Sequence, residues 1–346
     1  MKKTILAAAL CVAIPSFALA DVTVYGSVRA GISSIKTKET NFKQSFGVDD
    51  FGSRIGFKGS ENLGNGLKAI WQVETGFGID GTTGNSSTDT GTFANRESFV
   101  GLQGSFGKVR VGHVTDLLSD TQATDNLTSP RRDFSGAMFP LYEKHSYYND
   151  FGDGRFKNSV RYDSPEFAGF SGSIQYGAGE KQDAGQMKQG NHAAAKLAYK
   201  NSGFFGAYAH AEKFNTFGSE NHKVDRIEGG YSANDLYLAA TYQRAKAAKS
   251  AGEVKVDAWA LAAGYTIGQW VPFVQYSQRG DYSLNGQNVA DSGTKQWAVA
   301  VDYKLSKQTT LRAGYGEAKQ ESQAQKIHGW TEDKATSTWA MVKHNF

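Results

Sequence analysis

The residues that could do covalent or metal chemistry are few in this 346-residue chain, and their spacing assembles none of the familiar sites. The single Cys, Cys11, lies in an N-terminal segment expected to be removed, so the mature chain would carry no thiol. That excludes a disulfide scaffold, a Cys-based zinc site and a thiol nucleophile. The seven His are scattered without an HExxH or similar pair, so no metal is expected. Gly101, Gly104 and Gly107 suggest a phosphate loop. Five residues separate Gly101 from Gly107-Lys108, however, and Val109 stands where Ser or Thr should, which fits a tight hairpin better. Asn126-Leu127-Thr128 matches a glycosylation sequon, a common accident of composition. What remains is charge. Arg29 and Arg54 alternate with apolar neighbours, and rows of charge on one face of a strand can set ion preference in a water-filled passage. No cofactor is expected.

The elements that would position such charges are β-strands. In 296–305, Trp297, Val299, Val301, Tyr303 and Leu305 alternate with Gln296, Ala298, Ala300, Asp302 and Lys304. Period two means a strand with one apolar face and one wet or small-residue face. The pattern recurs at 21–30, 51–59, 67–73, 95–103, 106–114, 156–163, 170–179, 191–200, 204–213, 223–232, 236–246, 254–266, 271–279, 295–305, 309–317 and 337–346. That is about sixteen strands, and bacterial outer-membrane barrels have an even number. The links alternate in length. The turns 62–66, 104–105 and 306–308 are short, whereas 280–294 and 318–336 are long and polar. The segment 115–154 has no clear alternation, includes Pro130 and Pro140, and is too long for a passive connector.

Composition agrees with this picture. Forty Gly, 16 Tyr and 21 Phe against 5 Pro suit many strands joined by Gly/Asn/Asp turns. The mean hydropathy is −0.48, and no apolar run is long enough for a transmembrane helix. Lys2 and Lys3, the apolar run 5–14, Pro15 and Ala18-Leu19-Ala20 form a secretion signal cleaved before Asp21. The expected organisation is therefore a signal at 1–20 and one domain at 21–346. Removing Lys2 and Lys3 lowers the formal charge of +4 by two, and so weak a balance argues against nucleic acid as a partner.

Period alone does not tell a soluble sandwich from a membrane barrel. Strand candidates of about ten residues match a tilted transmembrane strand. Tyr231, Tyr265, Trp270, Trp297 and Tyr303 sit near strand ends, as interface girdles would. The sequence also stops on Phe346 at the end of a strand, as closure against the first strand requires. With about sixteen strands the lumen would be an aqueous channel. The expected fold is all-β, a transmembrane antiparallel barrel.

Four motifs then carry a resemblance: Asp21-Val22-Thr23-Val24-Tyr25-Gly26, Gly52-Ser53-Arg54-Ile55-Gly56-Phe57-Lys58-Gly59, Asn95-Arg96-Glu97-Ser98-Phe99-Val100-Gly101-Leu102 and Arg161-Tyr162-Asp163-Ser164-Pro165-Glu166-Phe167-Ala168-Gly169. They resemble Neisserial-type, betaproteobacterial general porins, from Asp21 to Phe346. The resemblance implies a homotrimer of sixteen-stranded barrels in the outer membrane, among lipid and lipopolysaccharide, whose third loop folds inward. Here that constriction loop would be 115–154. It further implies pore-lining basic residues at Arg29, Arg54, Arg96 and Arg161. Facing them would be loop carboxylates, of which Asp116, Asp120, Asp125 and Asp133 are the candidates. Arg131, Arg132 and Asn345 depart from the family pattern.

The function so implied is passive diffusion of ions and small hydrophilic solutes through a charged eyelet, with mild anion preference and no enzymatic activity. Two other classes stay open at this point. One is a surface-binding or adhesin barrel with a closed lumen. The other is an outer-membrane lipase, for which no nucleophile–base–orienting motif appears.

Overall fold

The computed structural model describes residues 21–37, 44–79, 81, 93–124, 154–179, 190–214, 221–249, 252–323 and 334–346. The expected signal at 1–20 and loop positions 125–153, with Asp125, Arg131, Arg132 and Asp133, lie outside the described residues. The strands are β1 (Asp21–Thr37), β2 (Gln44–Asp50), β3 (Arg54–Gly64), β4 (Leu67–Gly76), β5 (Ser98–Gly104), β6 (Gly107–Thr115) and β7 (Arg155–Asp163). Next come β8 (Phe170–Gly177), β9 (His192–Asn201), β10 (Phe204–Lys213), β11 (His222–Ala233), β12 (Leu236–Lys249) and β13 (Gly252–Tyr265). The last are β14 (Trp270–Arg279), β15 (Tyr282–Leu284), β16 (Gln287–Val289), β17 (Thr294–Lys304), β18 (Thr309–Gln320) and β19 (Lys334–Asn345).

These segments make a closed antiparallel barrel of 16 strands. β2 and β3 are two halves of one of them, pairing with the far and near halves of β1. The break between them is built by Asp50, whose carboxylate accepts from the amides of Gly52 (2.8 Å) and Ser53 (3.1 Å). Sequence alternation missed β2. It also read 280–294 as plain loop, where β15 and β16 form a hairpin whose first strand pairs with the start of β13, continuing the ladder of β14, while β14 pairs directly with β17. The missed signal is Asn285-Gly286, both at positive φ, the pair that a tight hairpin turn favours. The seam closes where β1 meets β19, Ser27 opposite Asn345. Gly26 and Phe346 exchange backbone hydrogen bonds of 3.0 and 3.2 Å, and the Phe346 ring lies where a Cβ on residue 26 would be.

The barrel is inside-out relative to a soluble sandwich. In β17, Trp297 and Val299 are 37% and 43% exposed, while Gln296 and Ala298 are 1% and 0%. The apolar row therefore faces outward and the polar or small row inward, which is the order that a lipid surround selects. Outward rings pair near the short turns: Phe170 with Tyr199 (4.6 Å), Phe204 with Tyr231 (4.9 Å) and Trp270 with Tyr303 (4.5 Å). A second set lies toward the long loops, Trp259 with Tyr276 (5.2 Å) and Trp297 with Tyr315 (5.5 Å). From Trp297 to Tyr303 is roughly 20 Å of strand, commensurate with the apolar band of an outer-membrane barrel.

Val299 lies between the two girdles. Val299→Arg is expected to destabilise the barrel by about 2–4 kcal/mol in lipid vesicles, with Val299→Leu near neutral. Denaturant titration followed by Trp fluorescence checks this, and equal stability of the two variants contradicts an outward, lipid-facing Val299.

Candidate lumenal channel

Two unlike sectors line the inside of the barrel. The first runs over β18, β19, β1, β3, β4 and the approach to β5, and it is basic. Arg29 on β1 and Arg54 on β3 are inward-facing, as their parity predicted. Arg96, just before β5, reaches back to the same place. Arg29 lies within electrostatic reach of Arg54, Arg96 and Arg312, and Lys343 within reach of Arg29, Arg54 and Arg312. Register explains the grouping: Arg29 sits opposite Lys343 across the β1–β19 seam, and Ser27, two residues earlier, opposite Arg54. Glu74 on β4 is the counter-charge. Arg96 Nε hydrogen-bonds it, Arg54 Nε is 3.8 Å away, and the Tyr25 hydroxyl donates to it at 3.1 Å. Arg312 makes a two-pronged pair with Asp302 (2.6 and 2.9 Å) and lies 4.9 Å over the Phe273 ring. The Arg54 and Arg96 side chains remain 34% and 27% exposed, so their charge is open to water.

The second sector, β7 to β13, holds the start of the loop. Its inner face is lined with Ala: Ala194, Ala209, Ala211, Ala239, Ala245, Ala260 and Ala262 are all buried. Short side chains leave room for the chain to lie against the wall, and Leu117 and Leu118 pack there on Ala194, Ala209, Ala211, Val224 and Ala245. Lumen-facing polar groups then hold the backbone. Arg226 on β11 donates to the carbonyls of Leu118 (2.7 Å) and Thr121 (3.0 Å), and Glu228 accepts from the Ala123 amide (2.9 Å). Tyr237 on β12 donates to the Ala123 carbonyl, and the hydroxyls of Thr124 and Thr241 meet at 3.1 Å. Residues 116–124 thus cross the inner wall from β6 to β12.

Arg161 belongs to this second sector. Its guanidinium is filled by the Thr115 carbonyl (2.9 Å), Asp163 (2.7 and 2.9 Å) and Asp120 (2.5 Å), and Lys196 also reaches Asp120 (2.7 Å). Arg110 continues the chain of charges to Asp163 (2.9 Å) and Glu97 (2.7 Å). Arg161 is therefore a clamp on the loop base, and is not grouped with Arg29, Arg54 and Arg96 by the contacts described. Asp116 departs furthest from expectation. It has no exposed surface, so it does not border the water path. Its amide donates to the Gly154 carbonyl (3.0 Å), tying together the two ends of the loop, and its Oδ1 accepts from the Leu118 amide (3.1 Å) while Oδ2 has no hydrogen-bond partner. Asp116 is thus part of the loop anchor.

Arg312, Lys343, Glu74, Lys196 and Arg226 were missed by sequence reasoning. Parity was the available signal. Arg312 sits between Leu311 and Ala313, Lys343 between Val342 and His344, and Arg226 between Asp225 and Ile227, with Leu311, Val342 and Ile227 all exposed outward.

Comparison with known proteins returns one consistent relationship. The family profile described as Gram-negative porin matches residues 7–323. The major outer membrane protein P.IB of Neisseria sicca is 37% identical over 384 aligned residues, covering 100% of both chains. The anion-selective porin from Comamonas acidovorans superposes with a TM-score of 0.75 at 23% identity, covering 94% of this chain and 100% of its own. The trimer form of OmpT, an outer membrane protein of Vibrio cholerae, gives 0.69 at 15% identity, covering 94% and 99%.

Burial pushes the Asp116 carboxyl up from 3.8 to about 7, against the weaker opposing effects of the Leu118 amide and Arg226. The folded chain then holds one more proton than the unfolded chain between those two values, so this group makes stability fall as pH rises through that window and level off above it. Asp116→Asn is expected to remove that contribution. Thermal unfolding in detergent at several pH values between 4 and 8 checks this, and a wild-type-minus-variant difference that is flat with pH contradicts it.

Proposed function

The chain belongs to the Gram-negative porin family and is a non-enzymatic diffusion channel of the bacterial outer membrane; within that function we propose a mild preference for anions, set by Arg29, Arg54 and Arg96 together with Arg312 and Lys343. The observation that carries this is the charge balance of the basic sector. These five cations share Glu74 and Asp302 as the only carboxylates in ion-pair contact with them among the described residues. The excess is positive and borders water, whereas Asp120 across the lumen is already held by Arg161 and Lys196. The acidic groups proposed to oppose this sector are Asp125 and Asp133, with Asp120 largely compensated by its two cations. A transverse field between such walls aligns small hydrophilic solutes and excludes those that must shed water. The remainder of the 115–154 loop narrows the passage, and 21–346 acts as one domain after removal of 1–20.

The same reading includes a homotrimer. The outward ring pairs of the two girdles all lie on β8 to β18. The outer faces of β19 and β1 to β6 bear no Tyr among the described residues; they expose mainly aliphatic side chains, among them Val22, Ile32, Val100, Leu102 and Val342, with Phe46 as an exposed aromatic. Girdle aromatics serve a lipid headgroup boundary, so their concentration on β8–β18 supports subunit contact through the other sector. The OmpT structure, similar in fold, is a trimer form.

Under a KCl gradient in planar bilayers the wild type is expected to show stepwise conductance and a reversal potential of the sign for anion preference. Arg96→Ala is expected to raise conductance and move the reversal potential toward the cation side. A cation-selective wild type overturns the proposed selectivity, and an unaltered Arg96→Ala removes that residue from the eyelet. For the assembly, Val100→Trp should lower the trimer fraction on mild-detergent gels while Leu261→Trp leaves it intact; equal trimer fractions contradict the assigned contact face.

A further inference from the structure

Among the described residues, three hairpin turns place an asparagine at positive φ: Asn65 between β3 and β4, Asn234 between β11 and β12, and Asn285 between β15 and β16. Two of the three carboxamides are held. Asn234 Nδ2 donates to the Tyr231 hydroxyl at 2.7 Å. Asn285 Oδ1 accepts from the Glu253 amide at 2.9 Å, and the Asn285 side chain occupies the place where a Cβ on residue 252 would be. Asn65 differs from both. It is exposed, and its side chain makes no hydrogen bond among the described residues. The bonds of its turn bypass it. Asn62 Oδ1 takes the Gly64 amide at 3.0 Å, and the ladder closes with Gly64 opposite Leu67, leaving Asn65 and Gly66 as a two-residue loop.

The residue that follows gives this freedom a chemical meaning. Gly66, at φ 78°, has no side chain, and nothing lies within 4 Å of where its Cβ would stand. A side chain at that position would shield its own amide nitrogen, and glycine does not. An unheld carboxamide therefore sits beside an unshielded backbone nitrogen, which is the pair of groups that reacts when asparagine cyclises. We propose that Asn65 is a site of spontaneous deamidation through a succinimide formed with Gly66, and that the fold protects the other Asn-Gly pair, Asn285-Gly286. The Gly66 nitrogen bonds to Asn65 Cγ, and Nδ2 leaves with the Gly66 amide proton as ammonia. Water then opens the ring at one of its two carbonyls. One opening gives aspartate. The other gives isoaspartate, whose main chain runs through the former side chain and is one carbon longer. Either product adds a negative charge to the turn. The longer main chain also breaks the two-residue geometry that sets the register of β3 against β4. The inference concerns chemical ageing of the folded chain and does not depend on ion passage.

The test incubates detergent-purified full-length protein, folded or unfolded in denaturant, in warm, mildly alkaline buffer and digests it with trypsin for mass spectrometry. Cleavage after Lys and Arg places Asn65 in the peptide 59–68 and Asn285 in the peptide 280–295. In the folded protein, 59–68 is expected to gain the mass of an amide-to-acid exchange several-fold faster than 280–295. Fragmentation should assign the gain to residue 65, with isoaspartate among the products. In the unfolded protein the two peptides should convert at similar rates. Asn65→Gly, which suits the positive-φ turn, should abolish the gain in 59–68, and its unchanged single-channel conductance shows that the barrel has folded. The proposal is overturned if the folded protein modifies both peptides equally or neither, if the gain maps to Asn62, or if no isoaspartate forms. Continued resistance of 280–295 after unfolding overturns its protection by the fold.

Discussion

Every strand of this protein needs hydrogen-bonding neighbours on both sides, because lipid offers a peptide group nothing in exchange for an unmade hydrogen bond. That single demand forces the sheet to close, and closure dictates most of the remaining architecture. The Gly26–Phe346 exchange and the β1–β19 ladder supply the last pairing. Once the ring is shut, each side chain has two possible surroundings, lipid or lumen, and the two-residue period assigns them alternately. The polar groups gathered inside are then close enough to act together.

The interior is divided by side-chain size as much as by charge. Alanines over β9–β13 make a shallow trough in which Leu117 and Leu118 lie, and Arg226, Glu228 and Tyr237 hold the next stretch of backbone. The opposite sector keeps long cationic side chains and accepts little in return. The lumen is consequently eccentric, with a covered side that carries the loop and a wet side that carries positive charge. Glu74 has a particular part in this balance. By engaging Arg96, Arg54 and Tyr25 it fixes the direction in which two guanidinium groups point without cancelling the cluster.

Much of the fold was legible in residue order because outward and inward faces obey a rule of period two, and lipid leaves that rule few exceptions. Strand β10 is found at the bounds that alternation gives, and Arg29 and Arg54 face as their parity requires. Legibility failed where local turn chemistry interrupts the period. Asp50 splits one strand into β2 and β3, and Asn285-Gly286 adds the β15–β16 hairpin. The site was legible only by parts. Parity marks an inward arginine but does not say which neighbours it meets, since that depends on register across strands far apart in sequence. Arg96 finds Glu74 and Arg161 finds Asp120 for reasons of register and loop path. Asp116 shows the limit most clearly, since a carboxylate beside an apolar pair reads equally as a pore acid and as an anchor, and only its enclosure decides.

The seam between β1 and β19 also has a meaning in time. The partner of the first strand is the final strand of the sequence, so the edge of β1 stays unpaired through the formation of every intervening hairpin. Contacts this distant in sequence form late, and an open edge is tolerated in water but not in lipid. Closing the ring therefore depends on β19: without that strand the outer edge of β1 keeps a row of unpaired peptide groups, which water can serve and lipid cannot.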